Sequence, residues 1–569
     1  MSKSLTPRHP RGLARRLTVA YFTMEIAATD RIPTFAGGLG VLAADIMRSS
    51  ADLGVDAACV SVCWQFGYLK QAIRPDGTQS YEQVAWDPSK ELTKLPQTIS
   101  VQIERRTVKV GAWMMEYTSG NSATKGHAVP LYFLDTNLPE NTPEDRAITQ
   151  HLYGGDAAMR MKQEVVLGCG GVRMLRALGY DDVGTFHMNE GHCAFLTLEL
   201  LRERGFNDAL VRGSCAFTTH TPIKAGHDVF GYELAWRIAG NLLPWHIKKL
   251  AGEDALSMTQ LAMTLSRYTC GVSAVHGEVA RKMLGNSAID SITNGVHHVE
   301  WVSPDMTKLF NTYIAGWQDD PSLITKHCRD IPDDALWHAH EQGKLRLLHV
   351  VREQTGLTLN PDRLTIASAR RVVAYKRPEL LYTDLVRLKE VCCGRVQIIH
   401  AGNAHPGDVF AQEVIHRMID HSKELRDCMD IAYLPNYNPE LAKLLVAGAD
   451  VWLNTPARLH EASGTSGMKA CLNGTINLST LDGWWVEGYH RDPESGWRIG
   501  PLALPLGDED TRRIDAEDLY TQLQYAVIPE YEYPGHIRWL RRMKRSIGLM
   551  GHFNANRCVQ EYVSKAWNR

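Results

Sequence analysis

Short runs rich in β-branched and aromatic residues alternate with longer segments of helical period along almost the whole chain, the pattern of parallel sheets covered by helices. In the first half, Leu17 to Phe22 reads as a strand. It is followed by the loop T-F-A-G-G-L-G and by V-L-A-A-D-I-M-R-S-S-A-D-L, whose apolar positions fall on one face of a helix. Further strands are expected at Val55 to Val62, Thr185 to Met188, Cys215 to Thr218 and Ala288 to Thr293. The second half is more regular, with strands at Leu364 to Ala369, Val396 to Ala401, Ile431 to Leu434, Val451 to Asn454 and Thr475 to Leu478. That succession predicts a doubly wound sheet, in which ligands lie beyond the carboxyl ends of the strands. The fold class expected is α/β, with a domain border near Trp301, where W-V-S-P-D-M precedes a helix-rich stretch. No fixed-period repeat interrupts the pattern, which sets solenoids and propellers aside.

A chain of 569 residues exceeds what one hydrophobic core serves, so two or three large domains are expected, enough to bury a cleft. Charge adds an exclusion: 62 Lys and Arg against 64 Asp and Glu argue against a protein whose main task is gripping nucleic acid or anionic lipid. With 44% hydrophobic and 22% charged residues, and no run near the roughly 18 apolar residues of a membrane helix, the chain reads as soluble and cytoplasmic. The basic opening S-K-S-L-T-P-R-H-P-R-G-L-A-R-R reads as a solvated terminus. Twelve cysteines sit in apolar stretches without zinc-type pairs, so reduced, buried thiols and no metal site are expected. Cys392 and Cys393 are adjacent, a spacing unsuited to an ordinary disulfide between them.

Three segments suit an anion. Gly37-Gly38-Leu39-Gly40 joins a strand to a helix, and phosphate recognition or a tight turn explains its glycines equally well. A-R-R-V-V-A-Y-K-R sets Arg370, Arg371, Lys376 and Arg377 just past a strand, combining planar donor forks with a point charge. Cations at a helix start oppose the macrodipole, which favours a counter-anion over a plain solvated end. The densest segment is E-A-S-G-T-S-G-M-K-A-C-L-N-G, a turn rich in N–H groups with Lys469 on the first turn of a helix. It is not a Walker A loop, because its glycine spacing differs and Ala470 stands where a magnesium-binding hydroxyl belongs. An amine beside such a turn suits pyridoxal phosphate, the amine bonding the aldehyde while the turn receives the phosphate.

Several separated motifs resemble, in the same order, those of the glycogen and maltodextrin phosphorylase family. They are Y-F-T-M-E, A-G-G-L-G-V-L-A-A-D, L-Y-G-G-D, R-M-K-Q-E, H-M-N-E-G-H, T-T-H-T-P, T-N-G-V-H, A-Y-K-R and the Lys469 loop with D-G-W-W-V-E-G. The likeness runs over residues 18–490 and is nearest to the shorter, divergent bacterial and archaeal branch. It implies two Rossmann-like domains facing a central cleft, the GT-B architecture. The N-terminal domain would span residues 1–300 and the pyridoxal-phosphate domain 301–545, with a final helix at 546–569 crossing back onto the first. It implies an α-1,4-glucan phosphorylase, with inorganic phosphate reversibly releasing α-glucose 1-phosphate and pyridoxal 5'-phosphate on Lys469 relaying a proton. The partners implied are glucan and phosphate, with no nucleic acid and no membrane, and family members are often homodimers.

Carried over by position, the resemblance assigns Lys469, Arg371, Lys376, His220 and Asp156 to catalysis. Arg371 and Lys376 match ligands of the substrate phosphate, with a backbone N–H from Gly38 and with Gly37 and Leu39 in the same loop. Arg370, Thr465, Ser466 and Gly467, with Gly38, lie around the cofactor. His220 and Asn294 match contacts to the glucosyl unit, Glu461, Ala462, Ser463 and Gly464 match those holding its far hydroxyls, and Tyr375 sits near the 2-hydroxyl. Asp156 matches an acidic position on a loop lining the site, and it also reads as the N-cap of a helix. Val373, Ala157 and Asn403 stand where other members carry His, Asn and Lys, which bears on acceptor fit and rate. Two alternatives remain: a nucleotide-sugar-dependent retaining glucosyltransferase of the same architecture, and a catalytically silent glucan-binding relative. Trp484 and Trp485 read as core as readily as sugar platforms and are left out of the site.

Overall fold

The computed structural model describes residues 16–568 apart from Tyr68, Pro75 and 503–507, so the basic opening segment lies outside the described residues. Two large sheets organise the chain. In the first, seven strands run parallel in the spatial order Ala128–Asp135, Ala57–Val62, Arg16–Thr23, Asp182–Asn189, Cys215–Thr218, Tyr268–Gly271 and Asp290–Ser291. The second is wholly parallel, in the order Ile431–Leu434, Val396–Ala401, Leu364–Ala369, Val451–Asn454, Ile476–Thr480 and Gly496–Ile499. Both are doubly wound, and both are α/β as expected. The order reverses beside Arg16–Thr23 in one sheet and beside Leu364–Ala369 in the other, and such switch points leave a crevice beyond the strand ends.

Strands sandwiched between helices need apolar residues on both faces, which is why Ala57–Val62, Leu364–Ala369 and Val396–Ala401 are buried at every position. Side chains on the two faces of each sheet form separate apolar clusters. The helix Ala555–Tyr562 and Trp567 pack into the cluster that lies over the first sheet. Trp567 Nε1 donates to His187 Nδ1 at 3.0 Å, and Arg267 donates to the Ala566 carbonyl at 2.6 Å. Beneath the second sheet, the buried Asp450 accepts from His340 at 2.8 Å, Lys344 at 2.7 Å and the Thr365 N–H at 2.7 Å.

Several expectations change. The strand expected at Ala288 to Thr293 is only Asp290–Ser291, because the chain then leaves the sheet edge. An antiparallel arm, Ile99–Ile103 with Arg106–Thr118, extends the first sheet and was not expected. The thiol reading also needs correction: ten cysteines are free and buried, but Cys393 is bonded to Cys428, brought to it by the strand packing rather than by sequence proximity. Among the described residues no helix is long and apolar enough to cross a membrane.

Candidate active site

The glycine loop follows the central strand of the first sheet and is braced from behind by Glu25. Glu25 Oε2 accepts from the N–H groups of Ala36 and Gly37 at 2.6 and 3.0 Å, and its Oε1 accepts from the Tyr153 hydroxyl at 2.9 Å. The helix Gly38–Asp52 begins without a side-chain cap. A Cβ at Gly37 or Gly38 would meet nothing within 4 Å among the described residues, so the helix start faces open space there. This leaves the first N–H groups available to an anion. The Arg371 guanidinium, from the other half of the chain, is near enough to act on the Tyr153 hydroxyl.

Beside the same switch point lies Glu190, at φ 79° and ψ 164°. Residues other than glycine occupy that region at a cost of about 1–3 kcal/mol, so the surroundings must enforce it. Its carboxylate does so by accepting from Gly191 N–H at 3.0 Å, His220 N–H at 2.7 Å and Thr221 Oγ1 at 2.9 Å. The loop T-T-H-T-P is therefore wrapped around one acid. His220 Nε2 bonds Asn189 Oδ1 at 2.6 Å, and burial drives the imidazole down to about 3, so the ring is neutral. Asn294 is 4% exposed and its Oδ1 has no hydrogen-bond partner among the described residues. Gly295 follows because a Cβ there would fall 2.1 Å from the Asn554 carbonyl oxygen.

The cationic segment starts at the second switch point. Arg370 Nη2 reaches across it to the Leu453 carbonyl at 3.2 Å, while its Nε is buried and has no partner among the described residues. Burial draws the Arg370 pKa below the usual arginine value, with Glu461 opposing. Arg371 is exposed. Lys376 pairs with Glu461 and lies 4.8 Å from the centre of the Tyr375 ring. Arg377 is different in kind: it bonds the carbonyls of Thr455 and Pro456, both at 2.9 Å, and Asp515 at 2.6 Å, which commits it to holding the loop.

The segment Glu461 to Lys469 docks onto the first half, where Ser273 Oγ donates to the Ala462 carbonyl at 2.6 Å. Glu487, just beyond it, accepts from the Thr293 hydroxyl at 2.8 Å and from the Ala274 N–H at 2.9 Å. Asp482 accepts from the N–H groups of His460 and Glu461 at 3.1 and 2.8 Å. Gly483, at φ 53°, lies so close that a Cβ would fall 2.2 Å from the Ser463 carbonyl oxygen. Thr465 precedes the helix Ser466–Leu472, and Ser466 Oγ accepts from Trp452 Nε1 at 3.1 Å. Gly467 packs against Asn477 and Trp484, where a Cβ would meet Asn477 Oδ1 at 2.4 Å. Lys469 is 7% exposed, its nitrogen 3.8 Å from the centre of the Trp301 ring, and burial draws its pKa down to about 8.

Asp156 caps the helix Ala157–Val165, its Oδ1 accepting from Met159 N–H at 2.9 Å. Asn403 is engaged at both ends of its amide by the Tyr437 backbone, at 2.8 and 3.0 Å, which explains a neutral residue there. Trp484 and Trp485 are core, 3% and 1% exposed. Sequence reasoning missed the braces Glu25, Asp45, Glu190 and Asp482, together with Trp301 and Asn473. The four acids lie inside motifs already singled out; Glu190 and Asp482 each precede a glycine, which was the available signal, while Glu25 and Asp45 sit among apolar neighbours that give none.

The carbohydrate phosphorylase profile matches residues 240–491. The chain is 38% identical to the maltodextrin phosphorylase of Thermococcus litoralis, over 97% of this chain and 70% of that protein. It is 33% identical to the glycogen phosphorylase of Aquifex aeolicus, over 97% of this chain and 86% of that protein. For the glycogen phosphorylase of Mycobacterium tuberculosis the identity is 34%, over 96% and 70% respectively.

Proposed function

Because the chain belongs to the carbohydrate phosphorylase family, we propose that it cleaves α-1,4-linked glucan ends reversibly with inorganic phosphate, releasing α-glucose 1-phosphate. It is a glycosyltransferase of the phosphorylase type, and a nucleotide-sugar donor or a silent binding role is not favoured. The observation that carries the assignment of roles is Lys469, an amine buried at a helix start whose pKa burial draws down to about 8.

The residues around it fit pyridoxal 5'-phosphate. Lys469 offers the amine, the unpartnered Nε of buried Arg370 suits a phosphate oxygen, and Thr465, Ser466 and Gly467 form the turn beside it. When bound, that cofactor supplies a phosphate with a second pKa of about 6, able to exchange a proton with an inorganic phosphate beside it. Two like unit charges 4 Å apart repel by about 4 kcal/mol at an effective dielectric constant near 20, so the chain must supply positive charge at that point. Arg371, Lys376 and the Gly38 N–H, flanked by Gly37 and Leu39, take this role. The incoming phosphate competes with Glu461 for Lys376. A proton passes from the inorganic phosphate to the leaving glycosidic oxygen, that oxygen's bond to the anomeric carbon breaks, and a phosphate oxygen bonds the same face.

Neutral His220 and the free Oδ1 of Asn294 orient the glucosyl unit, while Tyr375 and Glu461 to Gly464 read its hydroxyls. Asp156 contributes from the loop at the site's edge while capping its own helix. A cytoplasmic location belongs to the same proposal, with a homodimer as the assembly to test. Purified protein is expected to show the absorbance of lysine-bound cofactor, lost in Lys469→Ala, and to release glucose 1-phosphate from maltodextrin only with inorganic phosphate present. Activity that requires a nucleotide sugar instead would overturn the proposal.

A further inference from the structure

A carboxylate, an indole and the Lys469 amine form one unit inside the protein. Asp45, on the helix that starts at the glycine loop, is 1% exposed. Both of its oxygens accept from the Trp301 Nε1–H, at 3.1 and 3.0 Å. The ring held in this way carries the Lys469 nitrogen on its face, 3.8 Å from the centroid. Asn473 ties the two together from the other side, its amide donating to the Trp301 and Lys469 carbonyls at 2.8 and 2.9 Å. Of the other charges nearby, Lys443 and His297 have partners of their own, and Arg48 is shared between Asp45 and Glu300. Lys443 pairs with Glu300 at 2.6 Å, Arg48 approaches Asp45 at 3.8 Å and Glu300 at 3.6 Å, and His297 pairs with Asp52 at 2.9 Å.

We propose that Asp45 is the counter-charge of the Lys469 nitrogen, before and after that nitrogen takes up the cofactor, with Trp301 as the spacer that sets their separation. The second half of this statement rests on the cofactor reading above; the first half does not. A buried ammonium sheds its proton unless an anion is near, and a carboxylate within about 4–6 Å opposes that loss by roughly 1–3 pKa units. Burial is the main influence lowering Lys469, and Asp45 is the strongest one holding it up. In return Lys469 is the strongest charge opposing the rise that burial imposes on Asp45. The indole holds the carboxylate at its N–H edge and the amine over its face, so the two are not in direct contact and the nitrogen stays open to an aldehyde while its charge remains compensated.

The test uses the full chain, first freed of cofactor and then loaded. In the cofactor-free protein, the rate at which an amine-selective acylating reagent labels Lys469 is followed by peptide mass spectrometry between about pH 6 and 10. Asp45→Asn is expected to lower the labelling midpoint by about one unit, giving about fivefold more labelling at pH 7. Trp301→Phe keeps a ring but removes the N–H that stabilises the carboxylate, and it is expected to shift the midpoint the same way. It decides the matter alone if Asp45→Asn does not fold. In the loaded protein, the pH midpoint of the bound cofactor's absorbance is expected to fall in both variants. Unchanged labelling midpoints in variants that melt like the parent would overturn the proposal. Shifted labelling with no cofactor absorbance in any of the proteins would leave the counter-charge standing and sink the cofactor reading instead.

Discussion

Asp482 ties down the loop that carries Glu461 to Gly464, and its protonation should be visible in stability. The carboxylate is 3% exposed and accepts three N–H groups, those of His460, Glu461 and Gly483, at 3.1, 2.8 and 2.9 Å. Burial outweighs these bonds, helped by the negative Glu461, and lifts the pKa from 3.8 to about 6. A folded value above the unfolded one means that the native state holds the proton more tightly. The associated stability is complete below about pH 4, declines as pH climbs through about 6, and then levels off. Two units or so correspond to about 3 kcal/mol. If the 569 residues melt together, with about 2.1 cal/mol/K of unfolding entropy per residue, that is roughly 2–3 °C in Tm. Asp482→Asn removes the titration while keeping the shape, and turns an NH2 toward an N–H at a cost of about 1–3 kcal/mol. Calorimetric melts of both proteins in steps from pH 4 to 7 should show the variant less stable at pH 4, with the gap closing as the parent loses its share. A gap that stays constant over that range, or widens, would show that Asp482 does not release its proton from the folded protein near pH 6.

Substitutions at two further positions, Glu190 and Asp156, test one more brace and one cap. Glu190→Ala strips the His220 N–H of its acceptor, and a charge-assisted bond of about 1.5–3 kcal/mol should appear as a roughly 10- to 100-fold fall in kcat/KM for maltodextrin phosphorolysis. Glu190→Gly should be as inactive but more stable than the alanine variant by about 1–3 kcal/mol, since glycine relieves the backbone at φ 79°. Unchanged kinetics in both would remove Glu190 from the positioning of His220. At Asp156, serine preserves the cap and alanine forfeits about 1 kcal/mol of it. Both variants are expected to lose activity while only alanine loses stability, and a fully active Asp156→Ser enzyme would confine the residue to capping.

The strands that were legible in the sequence are those buried on both faces. Cys215–Thr218, Leu364–Ala369, Val396–Ala401, Ile431–Leu434 and Val451–Asn454 have the bounds their apolar runs predict, because a strand between two helix layers has no polar face to blur its ends. The antiparallel arm Arg106–Thr118 was not legible: its outer half is only partly buried, and its existence depends on pairing with Ala128–Asp135. The Cys393–Cys428 bond escaped for a similar reason, since 35 residues of chain separate partners that only the packing brings within 4.8 Å, Cα to Cα.

For the site, residue types and local motifs were enough to mark the groups that could meet an anion: the glycine loop, the cations after Ala369 and the lysine of E-A-S-G-T-S-G-M-K. Local motifs dictate local turns, and the chemistry of an amine or guanidinium travels with its residue type. How those groups divide their work depends on the folded chain. It committed Arg377 to Asp515 and two carbonyls, left Arg370 Nε unspent, and paired Lys376 with Glu461. It also turned Glu25, Glu190 and Asp482 into braces and set Asp45 against Lys469 through Trp301. A buried carboxylate takes its role from the N–H groups and charges that reach it, and here many of those arrive from segments far away in the chain.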